Sequence, residues 1–335
     1  MKAAAERPLV VITQRVHQEV LDFLGTHCRV WSNEDLEPLP AAQLLSRAAE
    51  AEALMVFMPD RIDEDFLRHC PHLKVIGAAL KGYDNFNVEA CSRRGVWFTI
   101  VPDLLTVPTA ELVVGLMIDL ARHIRAGDRL IRKGGFSGWR PRFYGKGLQG
   151  STAGIIGLGA VGRALARRLA ALEMKIMYTD IQPVPTEMFA GTVAVYASLE
   201  NLLRESDFVI PLAPLTTQTR HLLNARTLTL MKPGSFLVNA GRGSLVDERA
   251  VAEALAGGHL AGYAADVFEL EDWALADRPR DINLQLLSLT ERTVFTPHLG
   301  SAVGAVRLAI EMEAAQNILE ALNGKTPRGA VNQPK

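Results

Sequence analysis

Two doubly wound α/β domains with parallel sheets, one inserted in the other, are predicted by three observations. The chain has 335 residues, past the size at which a single core keeps growing, and 48% of them are hydrophobic, which supports two filled cores. Short apolar runs alternate with amphipathic segments from Leu9 onward, the pattern of repeated βα units. The last helical segment, 302–322, is too long for one more crossover and is expected to return to the first domain. That domain is then discontinuous, 1–103 with 299–335, around an inserted 104–298.

Taken in order, strands are expected at 9–13, 29–31, 53–58, 73–80 and 96–101. Helices at 18–24, 41–51, 63–69 and 88–94 separate them. Functional loops in such a layout follow the carboxyl ends of strands, and two stand out: Met58-Pro59-Asp60-Arg61 and Leu80-Lys81-Gly82-Tyr83-Asp84-Asn85. Pro102 and Pro108 bracket a break, after which 109–125 reads as one connecting helix of about seventeen residues. The stretch 125–150, with Phe136, Trp139, Phe143 and Tyr144, has little periodicity and reads as a long ordered loop and a candidate homodimer contact. Six strands follow in the inserted domain, at 155–156, 175–179, 207–212, 235–239, 260–267 and 293–296. Helices at 163–172, 198–205, 224–231 and 247–256 lie between them.

The inserted domain opens on Gly157-Leu158-Gly159-Ala160-Val161-Gly162, between an apolar strand and a helix. Gly157 permits the tight turn, Gly159 lets a backbone approach a pyrophosphate, and Gly162 lets helix and strand pack closely. A second strand ends at Asp180, where an acid accepts hydrogen bonds from a ribose diol. A dinucleotide site is therefore expected. Asp180 repels a 2′-phosphate and Ile181-Gln182-Pro183 offers no arginine to receive one, so NAD should be preferred to NADP.

Composition removes other classes of function. Lys plus Arg number 36 against 37 Asp plus Glu, and no polybasic cluster follows a nucleic-acid backbone or an anionic leaflet. Apolar runs such as 112–118 fall short of the roughly 18 residues of a spanning helix. Lys2 to Arg7 do not read as an export signal, and Cys28, Cys70 and Cys91 form no C-x-x-C pair. A reducing cytoplasm is the expected setting. His69-Cys70-Pro71-His72 has no matching second pair, so no metal is expected.

Three ionisable residues stand just past strands of the inserted domain. Arg242, flanked by Gly241 and Gly243, offers a guanidinium fork suited to an oxyanion. Glu271 follows Asp266-Val267-Phe268-Glu269-Leu270, and His298 lies in Thr296-Pro297-His298. A carboxylate beside an imidazole fixes its tautomer and raises its basicity. Singly, each also fits a structural role, and only their shared strand-end placement argues that they converge.

At these residues the chain resembles the D-isomer-specific 2-hydroxyacid dehydrogenase family over nearly its whole length. The resemblance implies an NAD-binding Rossmann domain inserted in a flavodoxin-like substrate domain, with Arg242, Glu271 and His298 catalytic. It implies substrate contacts from Lys81, Gly82, Met58, Ser301 and Arg307. It implies cofactor contacts from Lys81, Thr109, Gly157, Leu158, Gly159, Ala160, Val161, Gly162, Asp180, Ala213, Pro214, Ala240, Gly241, Arg242, Asp266 and His298.

Two departures narrow it. Lys81-Gly82 stands where most members carry a small or apolar residue before the glycine, and Asp272-Trp273-Ala274-Leu275-Ala276-Asp277-Arg278-Pro279 replaces a short proline-containing loop. With Met58–Arg61, Pro102–Thr109 and Gly300-Ser301-Ala302-Val303, they look like the phosphite-oxidising (phosphonate dehydrogenase) branch. A 2-hydroxy acid offers one carboxylate charge, whereas phosphite is largely a dianion near neutral pH, which suits a second cation at Lys81. Oxidation of phosphite with NAD is the resulting expectation. Its alternatives are an ordinary dehydrogenase of glycerate- or lactate-like acids and, further off, a nucleotide-sensing corepressor on the same fold.

Overall fold

The computed structural model describes residues 7–189 and 191–334; of the N-terminal stretch read for an export signal, all but Arg7 lies outside them. The chain divides into two compact units. The first takes the described residues of Met1–Leu105, Trp273–Ala276 and Ala302–Lys335, and the second Thr106–Asp272 and Asp277–Ser301.

The first unit runs β1 (Leu9–Ile12), α1 (Gln18–Gly25), β2 (Arg29–Ser32), α2 (Ala41–Ala48), β3 (Ala53–Val56), α3 (Glu64–Arg68), β4 (Val75–Ala78), α4 (Val88–Arg93) and β5 (Trp97–Thr99). The second runs α5 (Thr106–Arg122), α6 (Ile124–Arg132), β6 (Thr152–Ile156), α7 (Ala160–Ala171), β7 (Lys175–Thr179), β8 (Ala194–Tyr196) and α8 (Leu199–Glu205). It continues with β9 (Phe208–Pro211), α9 (Ala225–Leu228), β10 (Ser235–Asn239), α10 (Glu248–Ala256), β11 (Leu260–Ala265), α11 (Leu284–Ser288) and β12 (Thr293–Phe295). The long helix α12 (Gly304–Leu322) belongs to the first unit.

In the first unit the parallel sheet has the order β2-β1-β3-β4-β5. Period-two alternation sends Val10, Ile12, Met55 and Val75 to one face and Val11, Leu54, Ile76 and Phe98 to the other, as a sheet covered on both sides requires. Ile310, Ala314 and Ile318 of α12 join the first of these cores. Gly77 makes room for that helix, since a Cβ there would stand 2.6 Å from Ile318 Cγ1. Asp63 and Asn87 cap α3 and α4, accepting from the backbone N–H of Phe66 and Ala90, which satisfies donors that helix geometry leaves open.

In the second unit a parallel sheet of order β12-β11-β10-β9-β6-β7-β8 has β6 between β7 and β9. The direction of winding reverses at β6, where open α/β sheets form a crevice at the strands' carboxyl ends. The edge strand β8 was not expected from sequence. Its three residues are partly or fully exposed, so no apolar run announces it. The Arg125–Gly150 stretch read as loop contains α6, set off from α5 by His123 in a left-handed conformation, φ 56°. The connecting helix begins at Thr106, with Pro108 in its first turn, a position where a missing N–H costs nothing. Trp273–Ala276, assigned from sequence to the inserted domain, instead belongs to the first unit, where Ala274 N–H donates to Asn85 Oδ1 at 3.1 Å. No helix among the described residues is long and apolar enough to cross a membrane.

Beyond α12 the tail runs antiparallel to β5, with Thr99 bridging Ala330. Asn332 ties it down: its Oδ1 accepts from Phe98 N at 2.8 Å, and its Nδ2 donates to Ser92 Oγ at 3.0 Å and Val96 O at 2.9 Å. Replacing Asn332 with Ala should cost about 1–3 kcal/mol, because a half-buried amide and two carbonyl or hydroxyl oxygens lose partners. A urea unfolding midpoint equal to that of the unaltered protein would refute this anchoring role.

Candidate active site

The glycine turn after β6 is built by close approach. Gly157 has φ 95°, a left-handed backbone that side chains resist. A Cβ on it would stand 2.8 Å from Ala213 N, in the loop following β9. On Gly162 it would stand 2.4 Å from Gly157 O, so helix α7 and the turn touch through backbone. Gly159 differs, for a Cβ there meets no atom within 4 Å. The protein's own packing leaves that position open, and a ligand backed against the turn is what a side chain would obstruct.

Asp180, just past β7, is turned toward the same loop. Its Oδ2 accepts from Leu158 N and its Oδ1 from Ile181 N, both at 2.8 Å. Those bonds fix the carboxylate at the end of β7 while leaving each oxygen further lone pairs for a diol. Ala160, Val161 and Gly162 form the first turn of α7, whose N-terminal N–H groups favour an anion.

Past β10, the fully buried Asn239 makes the turn that presents Arg242. Its Nδ2 donates to Arg242 O at 2.9 Å and its Oδ1 accepts from Gly241 N at 3.2 Å. Gly241 packs against Pro211 O. Ala240 is buried and Arg242 half-buried.

Past β11 and β12 the expected acid and base meet. His298 Nδ1 lies 2.6 Å from Glu271 Oε2, and Glu271 Oε1 accepts from Phe268 N at 2.8 Å. A carboxylate only accepts, so Nδ1 carries the proton and Nε2 is left as the basic nitrogen. The two side chains keep 32% and 24% of their surface exposed, so this nitrogen is reachable. His298 has φ 55°, a conformation uncommon for a side chain of this size and met at functional turns.

Asp266, expected as a cofactor contact, is 1% exposed and holds the histidine loop. Its Oδ1 accepts from Thr296 Oγ1 and Leu299 N, each at 2.6 Å, and its Oδ2 from Gly300 N at 2.9 Å. Burial nonetheless pushes its carboxyl above the usual range, those bonds opposing. Thr109, in the first turn of α5, lies near Gly300, and Ser301 follows it. The sequence reading omitted Thr296 as a hydroxyl partner of Asp266, although it stood in the quoted Thr296-Pro297-His298.

Met58, Lys81, Gly82 and Arg307 belong to the first unit. Lys81 is half-buried and so is not a freely solvated side chain. Asn85 Nδ2 donates to Met58 O at 3.0 Å, joining the two loops singled out in the sequence. Arg307 lies over the Phe57 ring at 5.8 Å and 3.6 Å from buried Glu311, whose other oxygen lies 2.8 Å from His17 Nδ1. Desolvation lowers the Arg307 pKa, with Glu311 opposing.

The model of the D-isomer specific 2-hydroxyacid dehydrogenase NAD-binding domain matches residues 114–300. A glyoxylate reductase of Pyrococcus furiosus is 36% identical over 333 residues, covering 98% of this chain and 96% of that protein. The chain belongs to the D-isomer specific 2-hydroxyacid dehydrogenase family. Among solved structures, the TT0316 protein of Thermus thermophilus superposes with a TM-score of 0.88 at 35% identity, over 97% of this chain and 100% of that one. An NADPH-dependent glyoxylate/hydroxypyruvate reductase of Sinorhizobium meliloti, in complex with NADP and malonate, gives 0.84 at 27%, over 97% of each chain.

The second unit is thus an NAD-binding domain, and its residues fit the cofactor. The open face of Gly159 and the first turn of α7 suit the pyrophosphate, and Asp180 suits the adenosine ribose. Replacing Asp180 with Ala should lower the ratio of kcat/KM for NAD over NADP by about tenfold, as the repulsion of a 2′-phosphate is lost. An unchanged ratio would remove Asp180 from cofactor choice.

Proposed function

We propose that this dehydrogenase oxidises phosphite to phosphate. The observation that carries this reading is Lys81: a half-buried cation three residues past β4, in a chain whose Arg242 already offers a fork sufficient for one carboxylate. The long segment 272–279 and the loops Met58–Arg61 and Pro102–Thr109 support it by their likeness to the phosphonate dehydrogenase branch.

NAD, when bound, supplies the hydride acceptor. His298, its Nδ1 proton held by Glu271, takes a proton from the attacking water at Nε2. The P–H bond breaks as the P–O bond forms. Arg242 neutralises oxyanion charge, and Lys81 is the candidate for the second cation. Met58, Gly82, Ser301 and Arg307 complete the proposed substrate contacts.

A second reading has its own support. Two of the relatives named above carry the name glyoxylate reductase or glyoxylate/hydroxypyruvate reductase, and the same Arg, Glu and His would serve reversible oxidation of a 2-hydroxy acid. Under that reading His298 takes the hydroxyl proton and Arg242 holds the carboxylate.

We further propose a homodimer and a cytoplasmic setting. Ile124, Ile131, Phe136, Trp139 and Tyr144 are all more than half exposed along α6 and the segment after it, the enrichment expected of a contact between copies. Cys28, Cys70 and Cys91 are free and buried, which suits reducing conditions. A monomeric elution volume at micromolar concentration would count against the dimer.

The substrate is decided by NADH formation with phosphite against glycerate, lactate and other 2-hydroxy acids. Phosphite should be oxidised, and Lys81→Met should lower its kcat/KM by about 10–100-fold, the loss of one charge-assisted contact. Brisk turnover of a hydroxy acid with none of phosphite would establish the second reading. Silence with every substrate alongside tight NADH binding would favour a nucleotide sensor.

A further inference from the structure

The turn that carries Glu271 is held at both ends by groups with no assigned part in the reaction. At its start, Glu269 is 8% exposed, and its Oε1 accepts from Glu248 N at 3.0 Å. Its own N–H donates to Glu248 Oε1 at 2.8 Å, and its Oε2 lies 2.8 Å from His221 Nε2. Glu248, 3% exposed, has its carboxyl pushed up to about 7, chiefly by burial. Of the two acids, it is Glu269 that meets the imidazole. At the turn's far end, Asp272 Oδ2 accepts from Ser244 N at 2.7 Å, two residues past Arg242.

The Arg242 loop and the Glu271 turn are also in backbone contact. A Cβ on Gly243 would stand 1.9 Å from Phe268 C, so the two segments pack backbone to backbone with no room for a side chain. His221 spans both. Its backbone N–H donates to Ser244 O at 2.7 Å while its ring meets Glu269, and its φ of 48° is what turns the chain to do both.

We propose that His221 is a positioning residue that keeps the Arg242 loop and the Glu271 turn in one register, through its backbone on one and its imidazole on the other. The inference rests on the dehydrogenase reading of Arg242, Glu271 and His298 and is independent of which substrate is oxidised. Catalytic groups must be held within a fraction of an ångström, so a loosened register acts on turnover before it acts on cofactor binding.

The test is steady-state kinetics of full-length H221A and H221Q, using whichever of phosphite or a 2-hydroxy acid the unaltered chain oxidises. H221A should lose about tenfold in kcat, with KM for NAD changed by less than about twofold and the acidic limb of the kcat/KM profile displaced. H221Q, whose amide nitrogen reaches the place of Nε2, should recover most of both effects. If H221A does not fold, E269Q removes the same charged contact from the other side and should give the same loss and displacement. Unaltered kcat with an unmoved profile in H221A, or in E269Q where it stands in, overturns the proposal, as does H221Q no faster than H221A. Activity of the unaltered chain on hydroxy acids alone sinks the phosphite reading and leaves this comparison intact. Silence on every substrate overturns the dehydrogenase reading and this inference together.

Discussion

One buried carboxylate decides where the basic histidine stands. Asp266 follows β11 and gathers a hydroxyl and two backbone N–H groups from the 296–300 segment that follows β12. Each such bond to a charged acceptor contributes about 1.5–3 kcal/mol, yet the Asp266 pKa is raised, so desolvation outweighs them in setting its protonation. The group is therefore a poor source of net stability and a strong source of position. Adjacent parallel strands bring the two segments side by side, and Asp266 converts that proximity into a fixed loop in which His298 takes φ 55°. Glu271, oriented in turn by Phe268 N, then needs only to reach Nδ1.

The same logic of contact rather than bulk runs through the nucleotide turn. Gly157, Gly162 and Gly241 each lie where an added Cβ would come within 3.0 Å of backbone, so their small size is dictated by the protein. Gly159 has no such neighbour, and its place in the turn before α7 is where a pyrophosphate would approach. Within this turn the distinction separates the glycines that build the scaffold from Gly159, whose open face is compatible with the cofactor.

Much of this was legible because strands in doubly wound sheets are buried on both faces and so read as apolar runs. The turn at Gly157, the acid at Asp180 and the strand-end placement of Arg242, Glu271 and His298 all follow from that rhythm. β8 escaped it because an edge strand with exposed side chains has no apolar run. α6 escaped it because its apolar residues do not line one buried face: Ala126 is its buried position, and Ile124 and Ile131 lie on the outside. Trp273–Ala276 was misassigned because membership of a unit there follows long-range contacts such as Ala274 to Asn85, which no local pattern encodes. The framework of Glu248, Glu269 and His221 was invisible for the same reason: its bonds join residues more than twenty apart in sequence.

Cofactor binding and substrate discrimination make different demands on the chain. The NAD domain supplies a turn for the cofactor, a basic nitrogen and a guanidinium, and these would serve a hydroxy acid or phosphite alike. Discrimination needs a group whose worth depends on the substrate's second charge. A cation contributes little to a monoanion already neutralised by Arg242 and carries a desolvation cost of its own. Against a dianion the same cation gains a charge-assisted hydrogen bond, which offsets that cost. Under the phosphite proposal half-buried Lys81 is the candidate for that second cation, so its replacement bears on substrate choice more directly than any change in the nucleotide turn.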